Sequence, residues 1–316
     1  MTPRRSSISS SDARRYVRTL LATLAALVVG LVSITTIGYR MGWVEAANHE
    51  IYRYQRAKID APAPIDIAFV GDSSLGNAID AKLFGELTGR PTANLALNGS
   101  YGAGGSYNMV RKLIAAKHPH LIVVMQSIDS MRRDNAFPGF YFSAEPSDLL
   151  TMPPLQVLEL YFSWKTAKRI VQQVAKSGFA PKVEFFDGDY ISQAAYPIDK
   201  PVKQVLAENP LQPSMVAAAQ MHYLHKIATA CAAARITCVF ASGPIYQDYC
   251  TQTRGYLDAL GSAVDATGLQ RIAGTPLCVD DAEIGNSIDH VRPDLKQEYT
   301  RRYYALLRDV VASLGN

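Results

Sequence analysis

Hydrophobic and polar positions recur along this chain at two different periods. "DIAFVG" (66–71), "TANLALNG" (92–99), "HLIVVMQS" (120–127) and "ITCVFASGP" (236–244) are short apolar runs that end in Gly, Asn, Ser or Pro, the pattern of buried strands. Between them lie segments with helical spacing: "AIDAKLFGELTG" (78–89), "GGSYNMVRKLIAAKHP" (104–119) and "SMVAAAQMHYLHKIATACAAAR" (214–235). The first ends at a glycine suited to a helix C-terminus and the second is stopped by proline. The last segment, "HVRPDLKQEYTRRYYALLRDVVASLG" (290–315), is helical, with Leu306, Leu307, Val310 and Val311 at core spacing. Strands alternating with helices predict a parallel sheet covered on both faces, a three-layer α/β/α sandwich. Binding sites in such open sheets form beyond the carboxyl ends of the strands.

Two stretches depart from this rhythm. Thr19–Tyr39 carries no charge and is long enough to cross a hydrocarbon core of about 30 Å as one helix. Arg4, Arg5, Arg14, Arg15 and Arg18 precede it, which predicts a cytoplasmic tail at 1–18, a transmembrane helix at 19–39 and everything after it on the far side. A cleaved signal peptide is the rival reading, but its apolar core is shorter, and Tyr39 and Trp43 suit an interfacial anchor. The expected localisation is therefore a bacterial inner membrane, single-pass, with the main body in the periplasm. Residues 40–64 read as a short polar helix and a Pro-containing linker, and 65–316 as the main domain. The second departure is an insertion at about 134–213, rich in Phe, Tyr and Pro, with a helix near Leu155–Lys176. It is either a cap over the strand ends or an elaboration of the fold.

Composition changes this picture little. The chain has 316 residues, 48% hydrophobic and 19% charged, with a formal charge of +4 concentrated before residue 19, so no nucleic-acid footprint is expected. Of the four cysteines, Cys231 and Cys238 read as small buried hydrophobes; Cys250 and Cys278 lie in loop-like sequence and are candidates for a disulfide in an oxidising space. No Cys or His spacing argues for a metal, and no cofactor is expected. His222 and His225 share a helix face but lack further ligands, "YGAGGSYN" fits no nucleotide fingerprint, "FFDGDY" (185–190) reads as a turn, and Arg132 and Arg133 read as solvated charge, with a place on the cleft rim as the alternative.

The candidate chemistry sits in "GDSS" (71–74), between the first strand and the first helix. Ser73 there stands near a helix N-terminus, where backbone N–H groups favour developing negative charge. A serine hydroxyl needs a base, and His290, in the loop before the last helix, is expected at the same end of the sheet. An ordinary tight turn remains the alternative for these residues.

With these blocks the sequence resembles the SGNH/GDSL hydrolase and acyltransferase superfamily, over about 65–316 apart from the insertion. The resemblance implies a flavodoxin-like sandwich, Ser73 from "GDSS" as nucleophile, Gly99 from "NLALNGSYGAGG" and the Ser73 amide as oxyanion donors, and His290 from "SIDHVRP" as base. Two positions depart from the family. The third block, Gly-x-Asn-Asp, reads "QSID", so Ile128 replaces the asparagine donor; Gln126, Ser127 or a backbone amide are the possible substitutes. The family acid three residues before the histidine is Ser287 here; Asp289 is the tentative acid, Asp280 and Asp281 are near, and a Ser–His dyad is the alternative. Combined with an anchor, the resemblance implies an O-acyltransferase, moving acetyl onto an envelope or secreted polysaccharide beside a multispanning membrane-bound O-acyltransferase. An esterase with the same residues and a catalytically silent scaffold of an envelope complex are the alternatives.

Overall fold

The computed structural model describes residues 10–44, 46–133, 137–145, 147–148, 155, 164–177 and 210–315. The chain forms two compact units, one from residues 1–44 and 152–181, the other from 45–151 and 182–316. Most of the insertion, including "FFDGDY", lies outside the described residues.

In the first unit, α1 (Ser10–Arg40) is one N-terminal helix long and apolar enough to cross a membrane. It packs near its end against α7 (Trp164–Ser177), which lies within the insertion.

The second unit is an α/β sandwich. Its five-stranded sheet contains β1 (Ile67–Gly71), β2 (Thr92–Ala96), β3 (Leu121–Gln126), β4 (Thr237–Ser242) and β6 (Gln270–Arg271), in the order 2-1-3-4-6. All pairs are parallel. Every residue of β1 and β3 is buried, which is why both read as unbroken apolar runs: a parallel sheet is covered on both faces. The covering helices form two groups. In one, α5 (Gly102–Lys117) packs on α2 (Ala46–Asp60), α6 (Phe137–Ser143) and α8 (Ala218–Ala234). In the other, α11 (Lys296–Ala312) packs on α3 (Ser73–Ala78) and α4 (Ala81–Thr88). Phe84 stands edge-on to Phe69 of β1 and to Tyr304 of α11, so three elements share one aromatic cluster.

Three features add to the sequence reading. The short polar helix read ahead of the Pro-containing linker is α2, and it docks on the sandwich: Ile51 and Ile59 enter the core, Gln55 donates to the Ala96 carbonyl at 2.9 Å and Lys58 to the Asn94 carbonyl at 2.8 Å. Two-residue strands β5 (Ile245–Tyr246) and β7 (Cys278–Val279) pair as a second, small sheet, too short to leave a period in the sequence. Cys231 and Cys238, read as small buried hydrophobes, are bonded to each other across the turn from α8 into β4, which brings its two ends together; the candidate pair Cys250 and Cys278 is bonded as well.

The order reverses between β1 and β3, and the crevice at their carboxyl ends is where a site is expected in this topology. Gly71 makes that crevice possible. A Cβ there would lie 1.7 Å from the Met125 carbonyl oxygen, so only glycine lets the end of β1 run this close to β3.

Candidate functional site

Beyond Gly71 the chain turns sharply into α3. Asp72 caps that helix, accepting the Ser74 N–H at 3.0 Å and the Ser74 hydroxyl at 2.6 Å, and Ser73 becomes the first helical residue. The other carboxylate oxygen of Asp72 accepts the Ser127 N–H at 2.9 Å. Asp72 is wholly buried. Burial raises its pKa and the nearby Asp289 charge adds to the rise, opposed by the hydrogen bonds from Ser74, Ser127 and Ser130. Ser74 in turn packs under Gly243, where a Cβ would fall 2.2 Å from its hydroxyl oxygen. The turn is thus fixed from three strand ends. Ser73 itself is half-buried, and its hydroxyl has no hydrogen-bond partner among the described residues.

The loop before α11 presents His290. Its backbone is held by Gly285 N–H donating to the His290 carbonyl at 2.7 Å and by an antiparallel bridge between Ile284 and Val291. The imidazole Nδ1 is 2.8 Å from the Asn286 side-chain oxygen, and Nε2 is 3.6 Å from Asp289 Oδ1. Asp289 also accepts the Ser287 hydroxyl at 2.5 Å. The side chain facing Nδ1 is therefore an amide, not a carboxylate, and Asp289 stands at the opposite ring nitrogen.

Ser73, Gly99, Ser127, Asp289 and His290 all line one cavity of about 410 Å³, together with Asn48, Asn98, Ser100, Asp129, Ser130, Arg133 and Ser287. The lining is nearly all hydroxyl, amide and charge. The backbone N–H groups of Ser73 and Gly99 have no acceptor among the described residues. Gln126 is not brought to the cavity: its amide donates to Ser106 at 2.7 Å in the buried interior, as the strand alternation of β3 dictates. Ser127 is a buried member of the lining with its N–H engaged by Asp72, and Ile128 is buried. Asp280 and Asp281 do not line the cavity; Asp281 faces the Tyr246 hydroxyl instead.

Several lining residues escape sequence reasoning. Asn48 arrives from α2 and is tied to the second-block loop, donating to the Ser100 hydroxyl at 3.0 Å and accepting from Asn98. Asn98 also accepts the Ser100 N–H at 3.0 Å. Arg133, read as a rim charge, lines the cavity and pairs with Asp129, which Arg132 also contacts at 2.5 Å. The Asn-Gly pair at 98–99 was the available signal for the loop; nothing in the sequence marked Asn48.

Among the described residues no group of three or more His, Cys, Asp or Glu side chains is arranged to hold a metal, and His225 faces the Thr267 carbonyl at 3.1 Å. A second cavity, of about 390 Å³, lies beside β4 and α10 (Arg254–Asp265); it holds serines but no histidine.

No protein-family model matches the chain, and no curated protein does. Among solved structures, the chain is similar to an acetyl xylan esterase from the rumen bacterium Butyrivibrio proteoclasticus, at 10% identity and a TM-score of 0.32, over 80% of this chain and 66%, just under two thirds, of that one. It is also similar to CobT from Thermus thermophilus, at 12% identity and a TM-score of 0.22, over 88% of this chain and 96% of that one. At such scores the site stands on its own geometry.

Proposed function

We propose that this protein is a membrane-anchored periplasmic O-acyltransferase that works through an acyl-enzyme on Ser73. One observation carries the reading: an uncommitted serine hydroxyl and an imidazole held at Nδ1 line the same polar cavity, at the switch point of the sheet.

In this reading Nδ1–H of His290 donates to Asn286, which fixes the tautomer whose Nε2, 3.6 Å from Asp289 Oδ1, carries the lone pair. Nε2 takes the proton as Ser73 Oγ attacks the acyl carbonyl, and the Ser73 and Gly99 N–H groups stabilise the resulting oxyanion. Collapse expels the donor alcohol, which receives that proton. An acceptor hydroxyl then enters, gives its proton to Nε2 and attacks the acyl-enzyme, and Ser73 leaves with the proton restored. Bonds between such partners often close only when substrate fills the site, so a missing Ser73–His290 hydrogen bond does not count against the pair.

The cavity lining favours a polyhydroxylated acceptor over an apolar one, since Asn48, Asn98, Ser100, Ser130 and Arg133 offer donors and acceptors and no lining residue is of a hydrophobic type. A cell-envelope or secreted polysaccharide receiving acetyl fits that lining and a helix that tethers the domain to a membrane; a multispanning O-acyltransferase is the proposed source of the acyl group. Two disulfides using all four cysteines support an oxidising compartment such as the periplasm. The test is release of acetyl from an activated ester with and without a carbohydrate acceptor. Acetylated acceptor forming faster than free acetate supports the transferase; faster release to water alone makes the protein an esterase with the same residues.

A further inference from the structure

Helix α7 has a composition that the site does not explain. Trp164–Ser177 reads "WKTAKRIVQQVAKS", with four basic residues and no acidic one. Helical spacing puts Lys168, Arg169 and Gln172 on one stripe, while Ala167, Ile170, Val171 and Val174 fall on the opposite side. Lys168 and Arg169 are exposed. So is Val171, at 68%, an apolar side chain that the unit leaves uncovered.

Its position within the first unit gives that pattern a meaning. Ile170, only 6% exposed, packs on Gly38 of α1, where a Cβ would sit 2.7 Å from its Cδ1, so glycine permits the close approach. Gly38 lies in the last turn of the apolar run, just before Tyr39, Arg40 and Trp43. At the same height on α1, Ile34 (55%) and Ile37 (49%) are exposed. Helix α7 is therefore fastened where the spanning helix passes from apolar to polar surroundings, on the side opposite the N-terminal arginines.

We propose that α7 is an in-plane helix of the non-cytoplasmic leaflet, with its apolar side at the acyl boundary and its basic stripe on the headgroups of anionic phospholipids. A strongly two-faced, Lys/Arg-rich helix with modest overall hydrophobicity lies in the interface rather than across it. Phosphate-bearing anionic headgroups complement the stripe, and a negatively charged leaflet attracts basic segments close to its surface. This inference rests on α1 spanning the membrane and is independent of the chemistry at Ser73.

The experiment uses the full chain, one copy per lipid nanodisc, in phosphatidylcholine with or without phosphatidylglycerol. Because all four native cysteines are paired, a single introduced thiol takes a nitroxide label specifically. Val171→Cys is expected to be about fivefold or more less accessible to an aqueous nickel chelate than Gln297→Cys on the exposed side of the terminal helix, as for a side chain held at the acyl boundary. That protection is expected to fall when phosphatidylglycerol is omitted or when Lys165, Lys168, Arg169 and Lys176 are changed together to Gln. Equal nickel access at positions 171 and 297 overturns the proposal. So does protection that is unchanged in neutral lipid and in the quadruple variant, or that appears only with two copies per disc, which would make a second chain the partner. Leu27→Cys reports the span separately: nickel access there means that the membrane anchor itself has failed.

Discussion

Asp72 accepts the backbone N–H of Ser127 at 2.9 Å, joining the end of β1 to the end of β3 through one buried carboxylate. The same side chain caps the helix that begins at Ser73. Removing it strands at least two buried N–H groups and a hydroxyl, and each unsatisfied group costs about 1–3 kcal/mol. Asp72→Ala is expected to lower the urea midpoint markedly and to abolish acyl transfer, measured on the same preparation.

The pH dependence of stability follows from this carboxylate and one other. Burial raises the Asp72 pKa in the fold, so its contribution is fully present below the unfolded value of about 3.9 and is lost as pH rises through the folded value. Asp66 is the opposite case: burial pushes it up, but hydrogen bonds from Arg90 and His120 outweigh that and hold it low, so its contribution is present at neutral pH and lost on acidification. Asp72→Asn should therefore lose ground to the parent at pH 4 and recover part of it by pH 7, whereas Asp66→Asn should do the reverse. Chemical denaturation at the two pH values checks both signs.

Gly71→Ala tests the close approach of β1 and β3. With a Cβ 1.7 Å from a backbone oxygen, the strands must separate, and a loss of about 3 kcal/mol or more is expected, at the upper end of overpacking costs. A stability change under about 1 kcal/mol would mean that the crevice tolerates widening.

Asn286 and Asp289 make contrasting claims on His290. Asn286→Leu removes the acceptor at Nδ1, and kcat is expected to fall on the order of a hundredfold with KM nearly constant, the usual size of a general-base contribution. Asp289→Asn should cost less, because the carboxylate stands at Nε2 and not at Nδ1. The reverse order would restore Asp289 as the orienting acid.

The Cys250–Cys278 disulfide closes a loop of sequence separation 28 and joins α9 (Gln247–Gln252) to β7. The neighbouring Tyr246 N–H donates to the Ile288 carbonyl at 2.7 Å, two residues before His290. Replacing both cysteines by Ala is expected to cost about 2–4 kcal/mol and to reduce transfer with it, since the histidine loop loses its support. Thermal melts and activity of the double variant check this together.

Much of the fold was legible because parallel strands buried on both faces must read as unbroken apolar runs, as 66–71 and 120–127 do. The short block motifs pointed to Ser73, Gly99 and His290, whose shared cavity follows from the strand order. The rest depends on information that no local pattern carries. Asn286 reaches Nδ1 only because the Ile284–Val291 bridge folds the loop back on itself. Asn48 enters from the polar helix that precedes the sheet, and no local pattern shows that this helix docks beside the strand ends. Gln126 is a candidate donor only through the resemblance of "QSID" to a third block, and the pleat of β3 turns it to Ser106. The Cys231–Cys238 bond is not legible in the sequence because both residues also suit a core.

Whether Ser73 is an activated nucleophile is decided by covalent labelling. The full chain is treated with a fluorophosphonate, and the modified peptide is located by mass spectrometry beside Ser73→Ala and His290→Ala. Stoichiometric modification at Ser73, absent from the alanine variant and strongly slowed without the imidazole, is the predicted result. An unlabelled Ser73 in the folded protein, or labelling at the same rate without His290, would contradict the account.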